Sequence, residues 1–529
     1  MASACFTLVI GALVLLTLYL IKKYTYWKRR GIPTVRGTVP FVGNILPVLT
    51  MKYNFFDYNT KLYNDYKNYS MIGYYKLLKP VLLIRDPELV KTVMQSKFSN
   101  FHDTGISLRP ELDPLLSKDP FFASGDEWSR GRKKLTYAFS NTKLKVFYAA
   151  VSGVCKKFED FLIRQLTDNE KYEIELKQLF SKFTAEIVAN AGFGLEGFSF
   201  QEKKKPEAFE AISQTMSDFS FFRGFINNIV FIPEIRNLLR LRLLPREFDQ
   251  LFRNIVKESL EIRRNDPTPK NDYLQLMMDL SKSTNEPISD EDTAAGALSF
   301  YVNGFETSGN ALSFASYYLA THPDIQEKLR QEITSKIADY EGVLTFEALK
   351  EMTYMDQVIS ESLRCYPVIS SFSRVCTEAY ELQGPDGLKC RVEPGTQVII
   401  PVHALQVDPQ YWSDPEVFDP ERFNEDRKKS IVKMTFLPFG EGPRMCVGMK
   451  MGMLQVKSCL ATLLNKYKLE LSNKTQLPLK LSFVRRLKIT TILLSNFPTY
   501  SNLEFFISDM EIFLEKIKSR IFVSEVDGD

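Results

Sequence analysis

Histidine and tryptophan are scarce in this chain of 529 residues, with three of each. His102, His322 and His403 lie far apart and make no paired metal-ligand spacing, so nothing points to a histidine-built metal centre. The seven cysteines, at 5, 155, 365, 376, 390, 446 and 459, show neither a disulfide rhythm nor a zinc spacing. An odd, sparse set suits a reducing compartment, not a secreted and stapled fold. Excess charge is lacking too. A net +4, evenly spread, offers nothing to nucleic acid. There is no internal repeat or low-complexity tract, which removes solenoids and long disordered arms.

What is plentiful is aromatic. The 40 Phe and 24 Tyr give much apolar area to pack around something flat and greasy. Hydrophobic residues at 44% and charged residues at 25% are ordinary for a globular enzyme, and the length suits a large single catalytic domain.

Residues 3–21 carry no charge and are long enough to span a bilayer as one helix. Lys22 and Lys23 follow at once, then Lys28, Arg29 and Arg30. Positive charge stays cytoplasmic, so this predicts a transmembrane signal anchor with its N-terminus in the lumen and the rest in the cytosol. In a cleaved signal peptide the charge would precede the apolar run, and no small-residue cleavage site is evident. Residues 22–44, marked by Gly31, Pro33, Pro40 and Gly43, read as a hinge.

Periodicity predicts helices over 54–68, 143–167, 173–192, 206–222 and 246–264, and strands over 71–78, 81–84, 378–382 and 397–401. Ser289 caps a helix running to Ala320 before Pro323, small and apolar on nearly every side and so buried. His322 reads as a local cap. Glu306 and Thr307 in the middle of that helix are costly unless satisfied, which marks them as functional candidates. A plain alternative is that Thr307 bonds back to a carbonyl and Glu306 meets an arginine.

The chemistry centres on Phe439-Gly-Glu-Gly-Pro-Arg-Met-Cys-Val-Gly448, just before a helical run from Met449 to Leu464. Gly440, Gly442 and Gly448 allow a tight turn and close approach of a flat ligand. Arg444 can neutralise an acidic ligand group. The helix that follows would aim its first N–H groups at Cys446 and favour its thiolate. Such a thiolate suits the axial position of haem iron, where it pushes electron density onto the metal to favour O–O cleavage.

Phe439, Gly442, Arg444, Cys446 and Gly448 stand at the spacing of the haem-binding loop of the cytochrome P-450 family, and the chain resembles that family in order from about residue 30 to about 482. Three further motifs carry the resemblance: Trp128-x-x-x-Arg132, Gly304-Phe-Glu306-Thr307, and Glu361-x-x-Arg364 followed by Arg422. It implies a mainly α-helical P-450 fold with a minor β domain over 45–482, behind one transmembrane helix. It further implies haem b, with Cys446 on the iron and Trp128, Arg132, Arg374 and Arg444 holding the propionates. Gly304 and Thr307 would open a local distortion over the iron, and Glu306 and Thr307 would relay protons. Glu361, Arg364 and Arg422 would form a structural triad. Asn303 departs from the pattern, which usually has Ala or Gly there, and would narrow the distal pocket.

The implied activity is that of an animal, particularly insect, microsomal monooxygenase, which puts one oxygen atom of O2 into a lipophilic xenobiotic or hormone-like molecule. Electrons would come from NADPH through a flavoprotein reductase, with Lys133, Lys134 and Lys450 meeting its acidic surface. The location implied is the endoplasmic reticulum membrane, with a second contact through the apolar segment 221–233. Two other readings are a thiolate-haem isomerase or dehydratase that needs no reductase, and a haem-binding protein without turnover. The third reading draws on the tail, 483–529, which lacks the expected strand return and glycine turn. Residues 489–494 could make one strand, and the remainder is expected to pack poorly.

Overall fold

A computed structural model describes residues 2–106, 108–167, 171–201, 232–266, 268, 270–283, 287–475 and 491–496. The predicted helix over 206–222, segment 221–231 and residues 497–529 lie outside these. The chain opens with an exposed helix, Ala2–Tyr24, whose stretch Ala4–Tyr24 has a mean hydropathy of 2.6. Its length and composition are those of a membrane span. The segment after it is held firmly. Trp27 is fully buried against Gly73, and its Nε1 donates to the carbonyl of Tyr74 at 3.1 Å. The side-chain oxygen of Asn44 accepts from the backbone N–H of Tyr75 at 2.9 Å.

Among the described residues, nine strands make three small sheets. The largest has the order β1 (Met71–Lys76), β2 (Lys79–Ile84), β7 (Gln397–Ile400) and β4 (Phe372–Val375). β2 and β7 are parallel and the other pairs antiparallel. β1 and β7 are buried on both faces, which suits their run of Ile, Val and Tyr residues. β5 (Tyr380–Gln383) and β6 (Lys389–Val392) form a hairpin. The third sheet places β9 (Thr491–Asn496) between β3 (Lys171–Glu175) and β8 (Tyr467–Leu471).

The sequence reading is corrected at one element and met at another. The helix expected over 173–192 begins at Leu176, because Lys171–Glu175 alternates polar and apolar residues and pairs with β9 instead. It ends at Ile187 in a π-helical turn, Val188–Phe193. In the tail, the expected strand exists as Thr491–Asn496, the central strand of its sheet, with Ile492 and Leu494 fully buried.

The remaining mass is helical. The longest helix after the anchor, Asp290–Thr321, is capped by Ser289, whose hydroxyl accepts from Asp292 N–H at 3.0 Å, and carries three acids in its first turn. Ala, Ser and Gly let neighbours approach it closely, while its own Tyr301 and Phe305 stack on each other. It packs against helices Leu176–Ile187, Arg246–Asn265, Thr353–Cys365 and Met449–Lys466. It stops at His322, where Nδ1 meets the carbonyl of Tyr318 at 2.9 Å, so the imidazole caps the helix it ends.

Candidate active site

The Cys446 loop is a tight turn closed by its own backbone. The N–H of Cys446 donates to the carbonyl of Phe439 at 2.8 Å. Gly442 has a φ of +74°, and a Cβ there would lie 2.0 Å from the carbonyl oxygen of Met94. Its glycine therefore serves packing within the protein, not ligand approach. A Cβ on Gly448 would meet nothing within 4 Å, and Gly448 lines the adjoining cavity. Here the space lies on the ligand side.

That cavity, about 270 Å³, is lined by Cys446 and Phe439 from the loop and by Asn303, Gly304 and Thr307 from helix Asp290–Thr321. Trp128, Arg132, Arg374 and Arg444 line its margin. Cys446 lies deep in the protein yet is exposed, because its sulfur borders this space. Burial pushes its thiol upward, opposed by the N–H groups of Gly448 and Met449 and by the charge of Arg132. Those two N–H groups belong to the start of helix Met449–Lys466, as its dipole requires.

The three arginines are held by backbone oxygens. Arg132 donates to the carbonyl of Met445. Arg444 donates to the carbonyls of His102, Pro120 (3.0 Å) and Ala123 (3.1 Å), and its guanidinium lies 4.5 Å from the Trp128 ring centre. Trp128 thus pairs with Arg444 and not with Arg132, its neighbour on the helix. Arg374 is 3% exposed, donates through Nη1 to the carbonyl of Ser373 at 2.8 Å, and leaves Nε without a partner. Burial depresses it to about 9, with Arg444 adding repulsion. Burial likewise takes Arg444 to about 10. Arg444 has the Asp103 carboxylate at 3.6 Å, whereas Arg374 has no carboxylate partner among the described residues, a costly state for a buried cation.

Helix Asp290–Thr321 is α-helical throughout, so the expected distortion over Gly304 and Thr307 is absent. The Thr307 hydroxyl donates to the carbonyl of Asn303, four residues back. Glu306 pairs with Lys177 at 3.2 Å and accepts from Asn310 at 3.4 Å. Thr307 borders both the main cavity and a second one of about 210 Å³, while Glu306 borders only the second. Nor does Asn303 project freely. Its amide donates to Asp119 at 2.6 Å and to the carbonyl of Ser299 at 2.9 Å.

Behind the loop, Arg364 grips Glu361 through two bonds, 2.7 and 2.8 Å, and Arg422 reaches the same carboxylate at 3.3 Å. All three are buried. Sequence reasoning missed Gln406. Its Nε2 donates to the carbonyls of Leu363 and Arg364, and its Oε1 accepts from Leu437 N–H at 2.8 Å, two residues before Phe439. Asp119 and Ser299 were missed as well. No motif contains any of the three.

The cytochrome P450 family profile matches residues 33–493. The chain belongs to the cytochrome P450 family. It is similar to "Cytochrome P450 9e2" of Blattella germanica, with 33% identity over 89% of this chain and 93% of that protein. "Probable cytochrome P450 6a13" of Drosophila melanogaster is 35% identical over 87% of this chain and 91% of its own length. "Cytochrome P450 6j1" of Blattella germanica is 33% identical over 88% and 91% respectively. The match runs past 482, where the motif resemblance stops, into the strand Thr491–Asn496.

The chain is therefore a P450 monooxygenase of the mainly α-helical P450 fold, and P450s carry haem b and generally draw on NADPH through a reductase. The residues fit that group. A thiol with two N–H groups on it faces a cavity, and the buried arginines at the margin, one with an unpartnered Nε, suit a pair of carboxylates. Of the proposed reductase contacts, Lys134 is already paired with Asp292 at 2.9 Å and Lys450 with Asn141 at 2.7 Å, whereas Lys133 is exposed.

Proposed function

We propose that this P450 inserts one oxygen atom of O2 into a lipophilic substrate of the xenobiotic or hormone-like kind. The observation that carries this is one cavity lined by Cys446, Thr307 and the three arginines together. Bound haem b supplies the oxygen-activating chemistry. Cys446 would be its thiolate ligand, and the N–H groups of Gly448 and Met449 hold negative charge on that sulfur. Arg132, Arg374 and Arg444, with Trp128, would hold its carboxylates, which would offset the cost of burying the cations. Phe439 and Gly448 line the space it takes.

Thr307 stands where the two cavities meet. Its hydroxyl proton is on the carbonyl of Asn303, so its oxygen is left to accept from a proton donor in the cavity. Glu306, whose carboxylate borders the second cavity, completes the acid–alcohol pair through which protons reach the site. Glu361, Arg364 and Arg422 do no chemistry and fix the loop from behind.

Electrons arrive from NADPH through a flavoprotein reductase, with Lys133 on the docking face. The apolar helix Ala2–Tyr24 anchors the protein in the endoplasmic reticulum membrane with the catalytic domain cytosolic. The test is NADPH-dependent oxygen uptake with added reductase and a panel of lipophilic compounds. Substrate-stimulated uptake with oxygenated product supports the monooxygenase. Peroxide rearrangement without reductase would assign the isomerase reading, and bound haem with neither activity the reading without turnover.

A further inference from the structure

Asp119 stands in the cavity wall and takes no part in the chemistry above. It is 2% exposed. Oδ2 accepts from Ser299 Oγ and from Asn303 Nδ2, both at 2.6 Å, while Oδ1 accepts only from the N–H of Phe121 at 2.7 Å. No cation pairs with it among the described residues. Its neighbour Lys118 is turned to Asp292 at 2.7 Å. Burial pushes its carboxyl upward, and the three donors only partly offset this. A carboxylate oxygen has two lone-pair positions, so Oδ1 keeps one unused.

Asn303 adds a second acceptor. A carboxylate neighbour requires the amide to present its NH2 group, which leaves Asn303 Oδ1 with no donor among the described residues. Asn303 lines the same cavity. The cations that border this space, Arg132, Arg374 and Arg444, belong to the haem carboxylates in the proposed function. What remains is a largely apolar chamber with one carboxylate, Asp119, where Asp119 Oδ1 and Asn303 Oδ1 are unused acceptors beside Gln455 Oε1 and Ser371 Oγ.

We propose that Asp119 and Asn303 form a subsite for a protonated amine, so that this enzyme selects lipophilic amines over neutral molecules of the same shape. The ammonium N–H donates to Asp119 Oδ1 or Asn303 Oδ1 and supplies the counter-charge the protein withholds, while the hydrocarbon part of the ligand fills the apolar wall of Phe121, Phe300 and Val368. The same contacts tether the loop before Trp128 to the distal helix, so the subsite is preorganised. The proposal rests on the monooxygenase reading for its substrate chemistry, though not for its binding test.

The test uses the full-length protein in lipid nanodiscs. The probes are a tertiary dimethylamino-alkylbenzene and the hydrocarbon in which CH replaces the protonated nitrogen. Binding is measured by equilibrium dialysis, each ligand referred to its partition into empty nanodiscs. In the native protein the amine should bind about ten- to a hundredfold tighter than the hydrocarbon, the worth of one charge-assisted hydrogen bond. Asp119→Asn should remove most of that ratio by weakening the amine alone. Equal binding of the two probes by the native protein, a result needing no variant, would overturn the proposal. So would a ratio that survives in a haem-replete Asp119→Asn. A protein that holds no haem yet keeps the amine preference would refute the proposed function and leave this subsite standing.

Discussion

The N–H of Leu437 donates to Gln406 Oε1 at 2.8 Å, and through that bond the buried triad reaches the Cys446 loop. Gln406 also holds the carbonyls of Leu363 and Arg364, at the end of the helix that carries Glu361 and Arg364. One amide therefore joins the ion pair, the end of its helix and the loop.

Gln406→Ala leaves those three backbone groups unpartnered in the interior. The expected cost is about 1–3 kcal/mol of stability. The expected signature, however, is faster haem loss, because the freed loop carries Cys446. Denaturant midpoints and haem-transfer rates to an excess of acceptor globin check both. Glu361→Ala, which strands two buried arginines, should cost more, about 3–5 kcal/mol.

Arg374→Met should separate stability from cofactor affinity. Arg374 is a buried cation whose Nε has no partner, so a methionine of similar reach should leave the apoprotein as stable or more so. Haem should then bind about ten- to a hundredfold more weakly, since a charge-assisted contact is gone. Thermal unfolding of the apoprotein beside haem titration reads the two effects with opposite sign. A loss of apoprotein stability would show that Arg374 serves the fold.

The local motif was readable because its chemistry lies in consecutive residues. Cys446, the helix behind it and the arginine two residues earlier need no tertiary knowledge. Asn303 stood out only as a departure from its motif, and Asp119, 184 residues away, belongs to none, so only folding brings them together. Gln406 is similarly silent, a single amide whose three partners come from two segments. The glycine at 442 serves the turn, as its φ of +74° shows, but not ligand approach, because the backbone of Met94 that excludes a Cβ there lies far back in the chain. Strand β3 was hidden by the helix that follows it, as its partner β9 comes more than 300 residues later.

Thr307→Val keeps the shape of the helix face and removes the hydroxyl at the junction of the two cavities. Haem content and substrate affinity should hold, while the ratio of product to NADPH falls and hydrogen peroxide rises, with product rate down about a hundredfold or more for a lost link in the proton relay. Thr307→Ser should restore most of it. A Val variant with native coupling would remove Thr307 from the relay.

Removal of residues 2–24 should abolish integral membrane behaviour, scored by resistance to alkaline carbonate, and leave the folded domain intact. Extending the cut to residue 30 takes away Trp27, which is fully buried beneath β1, and should cost about 3–5 kcal/mol. Equal stability of the two truncations would mean that Trp27 is dispensable to the sheet.

The role of Cys446 as the thiolate ligand is tested most directly by the absorption spectrum of the reduced carbon-monoxide complex. The native protein should give the red-shifted Soret band of a thiolate-ligated haem, and Cys446→His should lose that band while it still carries haem. A Cys446→His protein that retains the red-shifted band would contradict the account at its centre.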